Sequence, residues 1–121
     1  QRRHLRRLLD DVTRMHMVAD VPIGAFLSGG IDSTVLVALM AQHSDARIRT
    51  FSVGFGDDFS AIDESDAAAD SARFFNTDHT RLQVTGADVR DQIAAAARAL
   101  DQPSVDGLNA YFVSASAGGS V

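Results

Sequence analysis

The sequence has no cysteine. Disulfides, thiolate metal sites and a cysteine nucleophile are therefore excluded on this chain. Lysine is absent too, so all 11 basic residues are arginine. A P-loop of the Gly-x-x-x-x-Gly-Lys-Ser/Thr type needs its lysine, and a pyridoxal phosphate enzyme needs a Schiff-base lysine. Both classes are excluded. No apolar stretch approaches the length that spans a bilayer. The N-terminus, Gln1-Arg2-Arg3-His4-Leu5-Arg6-Arg7, is basic but lacks the apolar stretch of a secretory signal. The expectation is a cytoplasmic protein with no membrane partner. The first residue is Gln1 rather than methionine, which leads us to expect an excised or incomplete piece. The net charge of −5 gives no support to nucleic-acid binding. Arg2, Arg3, Arg6 and Arg7 are expected to form a solvated face or to meet a neighbour.

What is present is ordinary in amount and informative in order. Of the residues, 45% are hydrophobic and 22% charged, as in a soluble globular protein. A chain of 121 residues is enough for one domain with a modest core. Leu5, Leu8, Leu9, Val12 and Met15 recur at helical spacing, which predicts an amphipathic helix over 4–17. Pro22 permits an extended entry to a buried strand over Ile23–Leu27. Ser33–Gln42 predicts a helix with Val35, Leu36, Leu39 and Met40 facing the core. Ile48–Phe55 predicts a second strand, ended by Gly54, Gly56, Asp57 and Asp58. Ser60-Ala61-Ile62-Asp63 fits a capping box opening a helix that ends near Phe75. Arg81–Val84 predicts a short third strand. Thr85-Gly86-Ala87-Asp88 is a second capping-box pattern, with a helix from about Asp88 to Leu100. Pro103 marks a loop, and a last helix follows from Asp106 or Gly107. This alternation predicts an α/β fold, a parallel sheet with helices on both faces.

Between the first strand and its helix lies Ser28-Gly29-Gly30-Ile31-Asp32-Ser33. Two glycines let the backbone turn sharply and let a ligand approach the main chain. Free N–H groups at the start of the helix face that ligand, and the helix dipole favours negative charge there. These are the physical requirements of a phosphate or pyrophosphate site. Asp32 adds a negative charge where an anion should bind. A magnesium ion between them resolves the conflict, because Mg²⁺ is commonly held by carboxylate plus phosphate. In parallel α/β sheets ligands bind beyond the carboxyl ends of the strands. Leu27-Ser28 and Val53-Gly54 both fall at such ends. A valine at Gly29 or Gly30 is expected to block phosphate approach and to strain any positive-φ turn.

The segment Ser28–Ser33 resembles the PP-loop of the ATP pyrophosphatase superfamily. Flanking blocks resemble the synthetase domain of glutamine-dependent asparagine synthetases. They are Val21-Pro22-Ile23-Gly24-Ala25-Phe26-Leu27, Phe51-Ser52-Val53-Gly54-Phe55, Asp63-Glu64-Ser65, Asp101-Gln102-Pro103-Ser104 and Tyr111-Phe112-Val113-Ser114. The resemblance runs from Leu8 to Ser114. It implies an adenine nucleotide alpha hydrolase-like, Rossmann-like fold and a reaction in which ATP is cleaved between its α and β phosphates. It implies ATP and Mg²⁺ as cofactors and a small carboxylate, aspartate in most relatives, as substrate. Within it, Ser28 and Ser33 offer hydroxyl donors, Gly29, Gly30 and Ile31 offer backbone N–H groups, and Asp32 holds Mg²⁺. Leu27 and Val53 line the adenosine pocket, and Gly54 keeps the approach open.

Other residues carry weaker signals. Glu64 resembles a family element, yet an acidic residue in a first helical turn also simply suits the dipole. His79 reads as a surface or satisfied core histidine ahead of the third strand. His4, His16 and His43 show no metal-ligand spacing. The family pattern also includes an N-terminal glutaminase domain and a second Gly-rich block ending in Asp-Glu, neither of which is within these 121 residues. The chain is therefore expected to be the first part of a synthetase domain over residues 1–121, inactive in isolation and open to self-association. Two further readings stand beside the asparagine-forming ligase. One is a non-catalytic ATP- or AMP-binding module. The other is a related synthetase acting on a β-lactam precursor or a sugar acid.

Overall fold

Three strands pair in parallel in the order β1 (Gly24–Phe26), β2 (Arg49–Gly54), β3 (Asp78–Gln83). Parallel neighbours need crossovers, and helices supply them. α2 (Ile31–His43) joins β1 to β2, and α3 (Ser65–Phe74) joins β2 to β3. α1 (Arg2–His16) precedes the sheet; α4 (Gly86–Ala99) and α5 (Gly107–Ala117) follow it. The computed structural model describes residues 1–54, 64–102, 104 and 107–118. The capping-box pattern at Ser60–Asp63 lies outside those residues.

Register fixes which residues share a face. Ala25 pairs with Thr50 and Phe26 with Phe51; Phe51 pairs with Thr80 and Gly54 with Gln83. Beyond the last β1 pair, the Leu27 N–H donates to the Phe51 carbonyl at 2.8 Å, so Leu27 continues the strand. Side chains alternate across the sheet. Ala25 and Leu27 point to the face that meets α2 and α3, where they pack with Val37, Met40, Ile48, Ala68 and Ala72. Ala68 and Ala72 lie one turn apart on α3, and their small side chains let the helix lie close on the strands. On the other face Phe26 and Phe51 meet edge to face, 6.5 Å between centroids, and α5 packs against β2 and α4. The fold is thus α/β with helices on both faces of a parallel sheet.

α2 departs from expectation in its buried side. Val37 is fully buried with Leu39 and Met40, whereas Val35 and Leu36 are 41% and 45% exposed. The run Val35–Met40 is apolar in almost every direction around the helix, so spacing alone does not select a face. β3 also begins earlier than expected, at Asp78 instead of Arg81, and takes in His79. Its sequence Asp-His-Thr-Arg-Leu-Gln shows no apolar alternation; the backbone ladder to β2 defines it. The second capping box forms as expected. The Thr85 side chain accepts from the Asp88 N–H, and the Asp88 carboxylate accepts from the Thr85 N–H at 2.8 Å. The Thr85 hydroxyl, which also donates to the Asp88 carboxylate at 2.6 Å, and then the Thr85 N–H hold the Asp88 carboxyl below its usual range. α3 ends on Asn76 at φ 54, with Asn76 N–H to the Arg73 carbonyl and Thr77 N–H to the Ala72 carbonyl. This is a Schellman motif with asparagine in place of glycine.

α1 forms as expected, but among its residues only Thr13 is buried. It lies on α2, where Asp10 meets the His43 ring at 2.7 Å. Leu5, Leu8, Leu9, Val12 and Met15 remain exposed. No helix among the described residues is long and apolar enough to cross a membrane.

Candidate functional site

The turn Ser28–Gly30 leaves the carboxyl end of β1 and enters α2 directly. Gly30 is the N-cap of α2, in extended conformation at φ −77 and ψ 155, and no side chain caps the helix. The first intrahelical bond is Thr34 N–H to the Gly30 carbonyl at 3.3 Å. The N–H groups of Ile31, Asp32 and Ser33 precede that bond, so they point out of the helix end. A structural turn would ordinarily place Ser, Thr, Asp or Asn at the cap to occupy them. Here glycine leaves the donors open to a ligand.

Two hydroxyls close the turn. Ser28 Oγ and Ser33 Oγ lie 2.8 Å apart. Ser33 Oγ accepts from the Ser28 N–H at 3.1 Å, and Ser28 Oγ accepts from the Gly30 N–H at 3.2 Å. Thr34 Oγ1 donates to the Gly30 carbonyl at 2.8 Å. The loop is therefore shaped before any ligand arrives, which lowers the ordering cost of binding. The same hydroxyls that were expected to face phosphate also hold the loop in place.

The glycines act through space and not through a left-handed backbone. Neither Gly29 nor Gly30 lies in the positive-φ region, so the strain expected there does not arise. At Gly29 a Cβ would sit 3.0 Å from Ala67 Cβ and 3.1 Å from Glu64 Cβ. The loop thus rests on the first turns of α3. At Gly30 a Cβ would meet, among the described residues, only Ser28 Oγ, at 3.1 Å.

Asp32 lies in the first turn of α2 and is exposed. No group of three or more His, Cys, Asp or Glu that could hold a metal occurs among the described residues. The loop itself offers the Asp32 carboxylate and the Ser28 and Ser33 hydroxyls. That set fits Mg²⁺, which keeps several waters and takes its other oxygens from phosphates, and does not form an all-protein cage. Val53 is half-buried and Gly54 buried at the carboxyl end of β2, beside the end of β1. Leu27 is 2% exposed and its side chain belongs to the core cluster, so what it presents toward a ligand is backbone. Glu64 is the N-cap of α3 and exposed, with no side-chain capping bond. Sequence reasoning weighed Glu64 alone and missed Ala67; an alanine in an Ala-rich helix gives no signal by itself.

Two hollows, of about 160 and 300 Å³, lie at the amino ends of β2 and β3, away from this loop. The larger is bordered by Arg73, Asn76, Thr77 and His79. His79 Nδ1 is 2.9 Å from Thr50 Oγ1 and His79 Nε2 is 3.1 Å from Ser52 Oγ, on hydroxyls that are themselves buried. Burial first, then the Arg81 guanidinium, push the His79 pKa below its ordinary value of 6.5. The folded state therefore binds fewer protons than the unfolded chain as pH falls below that value, and stability falls with it. Urea titrations of the parent should lose stability on acidification from pH 6.5 downward. His79→Gln should flatten that slope; an unchanged slope would show that another group carries it.

A three-stranded parallel sheet with helices on both faces, with Ser-Gly-Gly-Ile-Asp-Ser between β1 and an uncapped α2, makes this a Rossmann-like α/β domain. The NH3-dependent NAD synthetase from Campylobacter jejuni, solved in complex with the nitrate ion, shares this fold. It aligns with a TM-score of 0.57 at 12% identity, covering 93% of this chain and 50% of that one. The chain belongs to the asparagine synthase family, whose model, "Asparagine synthase", it matches over residues 4–119. It is 34% identical over 112 residues to "Putative asparagine synthetase (glutamine-hydrolyzing) 2" of Methanocaldococcus jannaschii, covering 90% of this chain and 21% of that protein. It is 37% identical over 99 residues to a Mycobacterium tuberculosis protein of like description, covering 82% of this chain and 15% of that one. It is 30% identical over 113 residues to asparagine synthetase (glutamine-hydrolyzing) 1 of Bacillus subtilis, covering 92% of this chain and 17% of that one. The chain thus spans about a fifth or less of the length of these relatives.

Proposed function

We propose that this domain is the nucleotide-activating part of a carbon–nitrogen ligase that forms asparagine. The observation that carries the reading is the uncapped N-terminus of α2, with Gly30 at the cap and Asp32 in the first turn. In the proposed reaction the side-chain carboxylate of aspartate attacks the α-phosphorus of ATP. The bond to the β-phosphate oxygen breaks, and pyrophosphate leaves. Ammonia released from glutamine then attacks the acyl carbon, and AMP leaves. Glutamine hydrolysis belongs to a glutaminase domain, since this chain has no cysteine to attack an amide.

The residues here have a positioning and electrostatic task. The N–H groups of Ile31, Asp32 and Ser33 bind the leaving pyrophosphate as its charge develops. Asp32 would hold Mg²⁺, which would offset the negative charge of the phosphates. The end of β2 at Val53 and Gly54 receives the adenosine. The identity of the acceptor is tested by exchange. Residues 4–119 are placed in the Bacillus subtilis asparagine synthetase 1 in place of its matching segment. The chimera is expected to release pyrophosphate from ATP only when aspartate is present, and Asp32→Ala is expected to stop it. A chimera that binds ATP yet ignores aspartate would contradict the asparagine reading and point to another carboxylate.

A further inference from the structure

The loop is held by α3 as well as by β1 and α2. A Cβ at Gly29 would lie 3.0 Å from Ala67 Cβ, 3.1 Å from Glu64 Cβ and 3.4 Å from the Glu64 carbonyl oxygen. Real Cβ atoms essentially never approach closer than the first of these, so the loop and α3 are in contact with no space left between their backbones. Ala67 and Glu64 are three residues apart and therefore on the same face of α3. Helical side chains lean toward the N-terminus, over the turn before their own Cα. A longer side chain at position 67 would thus lean over Glu64, into the place occupied by Gly29. Ala67 is exposed, and among the described residues it is not part of the core. The neighbours that do pack inward are Ala68 and Ala72.

We propose that Ala67 is a positioning residue of the nucleotide site, setting the height of the Ser28–Ser33 loop above α3 by being no larger than a methyl group. The proposal rests on the reading of that loop as the phosphate site. It makes α3 a seat for the loop. It also accounts for two glycines in sequence: Gly30 leaves room for the ligand, and Gly29 leaves room for α3.

The test compares calorimetric titration of the full chain with ATP and Mg²⁺ across variants, together with amide NMR shifts of residues 28–33. Ala67→Leu is expected to weaken binding about tenfold, to move the loop amides, and to lower the melting temperature as the crowded loop lifts from α3. Ala67→Ser, which adds a single atom, should bind as the parent does. If Ala67→Leu does not fold, the spatial swap decides. Gly29→Ala should bind poorly, and the double variant Gly29→Ala with Ala67→Gly should regain part of the affinity. Ala67→Leu that binds ATP like the parent with unmoved loop amides would overturn the proposal, as would a double variant no better than Gly29→Ala. If the parent itself does not bind ATP, the reading of the loop as a phosphate site fails, and this proposal fails with it.

Discussion

Gly30→Val is expected to keep the fold and to lose about a hundredfold in affinity for Mg²⁺-bound ATP, the worth of two donors to a charged group. The backbone at Gly30, φ −77 and ψ 155, is one that valine adopts readily. Among the described residues its Cβ meets only the Ser28 hydroxyl, at 3.1 Å, a contact that a shift of a few tenths of an ångström relieves. The methyl groups of valine would then stand over the N–H groups of Ile31, Asp32 and Ser33, where the proposed site takes phosphate oxygens. Gly29→Val has a different outcome. Its Cβ would press on Ala67 Cβ and Glu64 Cβ, so the loop must lift from α3 or the helix must shift. Binding and melting temperature are both expected to fall. The two neighbouring glycines thus separate ligand access from packing. Thermal melts and nucleotide titration on the same samples check this. Equal affinity of Gly30→Val and parent would remove the phosphate role of the helix end.

Asp32→Ala is expected to change sign with the metal. Without Mg²⁺ the exposed Asp32 carboxylate repels the triphosphate, and its removal should tighten binding. With Mg²⁺ the carboxylate, the ion and the phosphates attract in sequence, and its removal should weaken binding. For charges about 4 Å apart in a solvated site each effect is roughly 1 kcal/mol, or about fivefold. Asp32→Asn should follow alanine in both conditions, since it keeps the size and loses the charge. A purely structural Asp32, stabilising α2 through the dipole, would alter melting temperature and show no such reversal.

Much of the site was legible because its signals are local. A short apolar strand followed, within six residues, by two glycines, a serine pair and a carboxylate specifies a turn and a helix start, whatever surrounds them. Thr85 and Asp88 were legible for the same reason: a capping box is a contact between residues three apart. The misses are all matters of tertiary context. The burial of Val37 instead of Val35 and Leu36 depends on where α2 meets Ala25, Leu27 and α3. Asp78 and His79 join β3 because β2 offers them a ladder, not because their side chains favour a strand. Ala67 matters through Gly29, 38 positions earlier in the chain, and a single sequence holds no trace of that contact. Leu27 shows the reverse effect. It sits next to the loop in sequence, yet its side chain serves the core.

The most direct measurement is calorimetric titration of the parent chain and Asp32→Ala with ATP, each with and without Mg²⁺. The account predicts saturable binding by the parent that Mg²⁺ strengthens. It also predicts an Asp32→Ala variant that binds more weakly than the parent with Mg²⁺ and more tightly without it. No binding by the parent, or the same response to Mg²⁺ in both proteins, would contradict the assignment of this loop as a magnesium-assisted site for the phosphates of ATP.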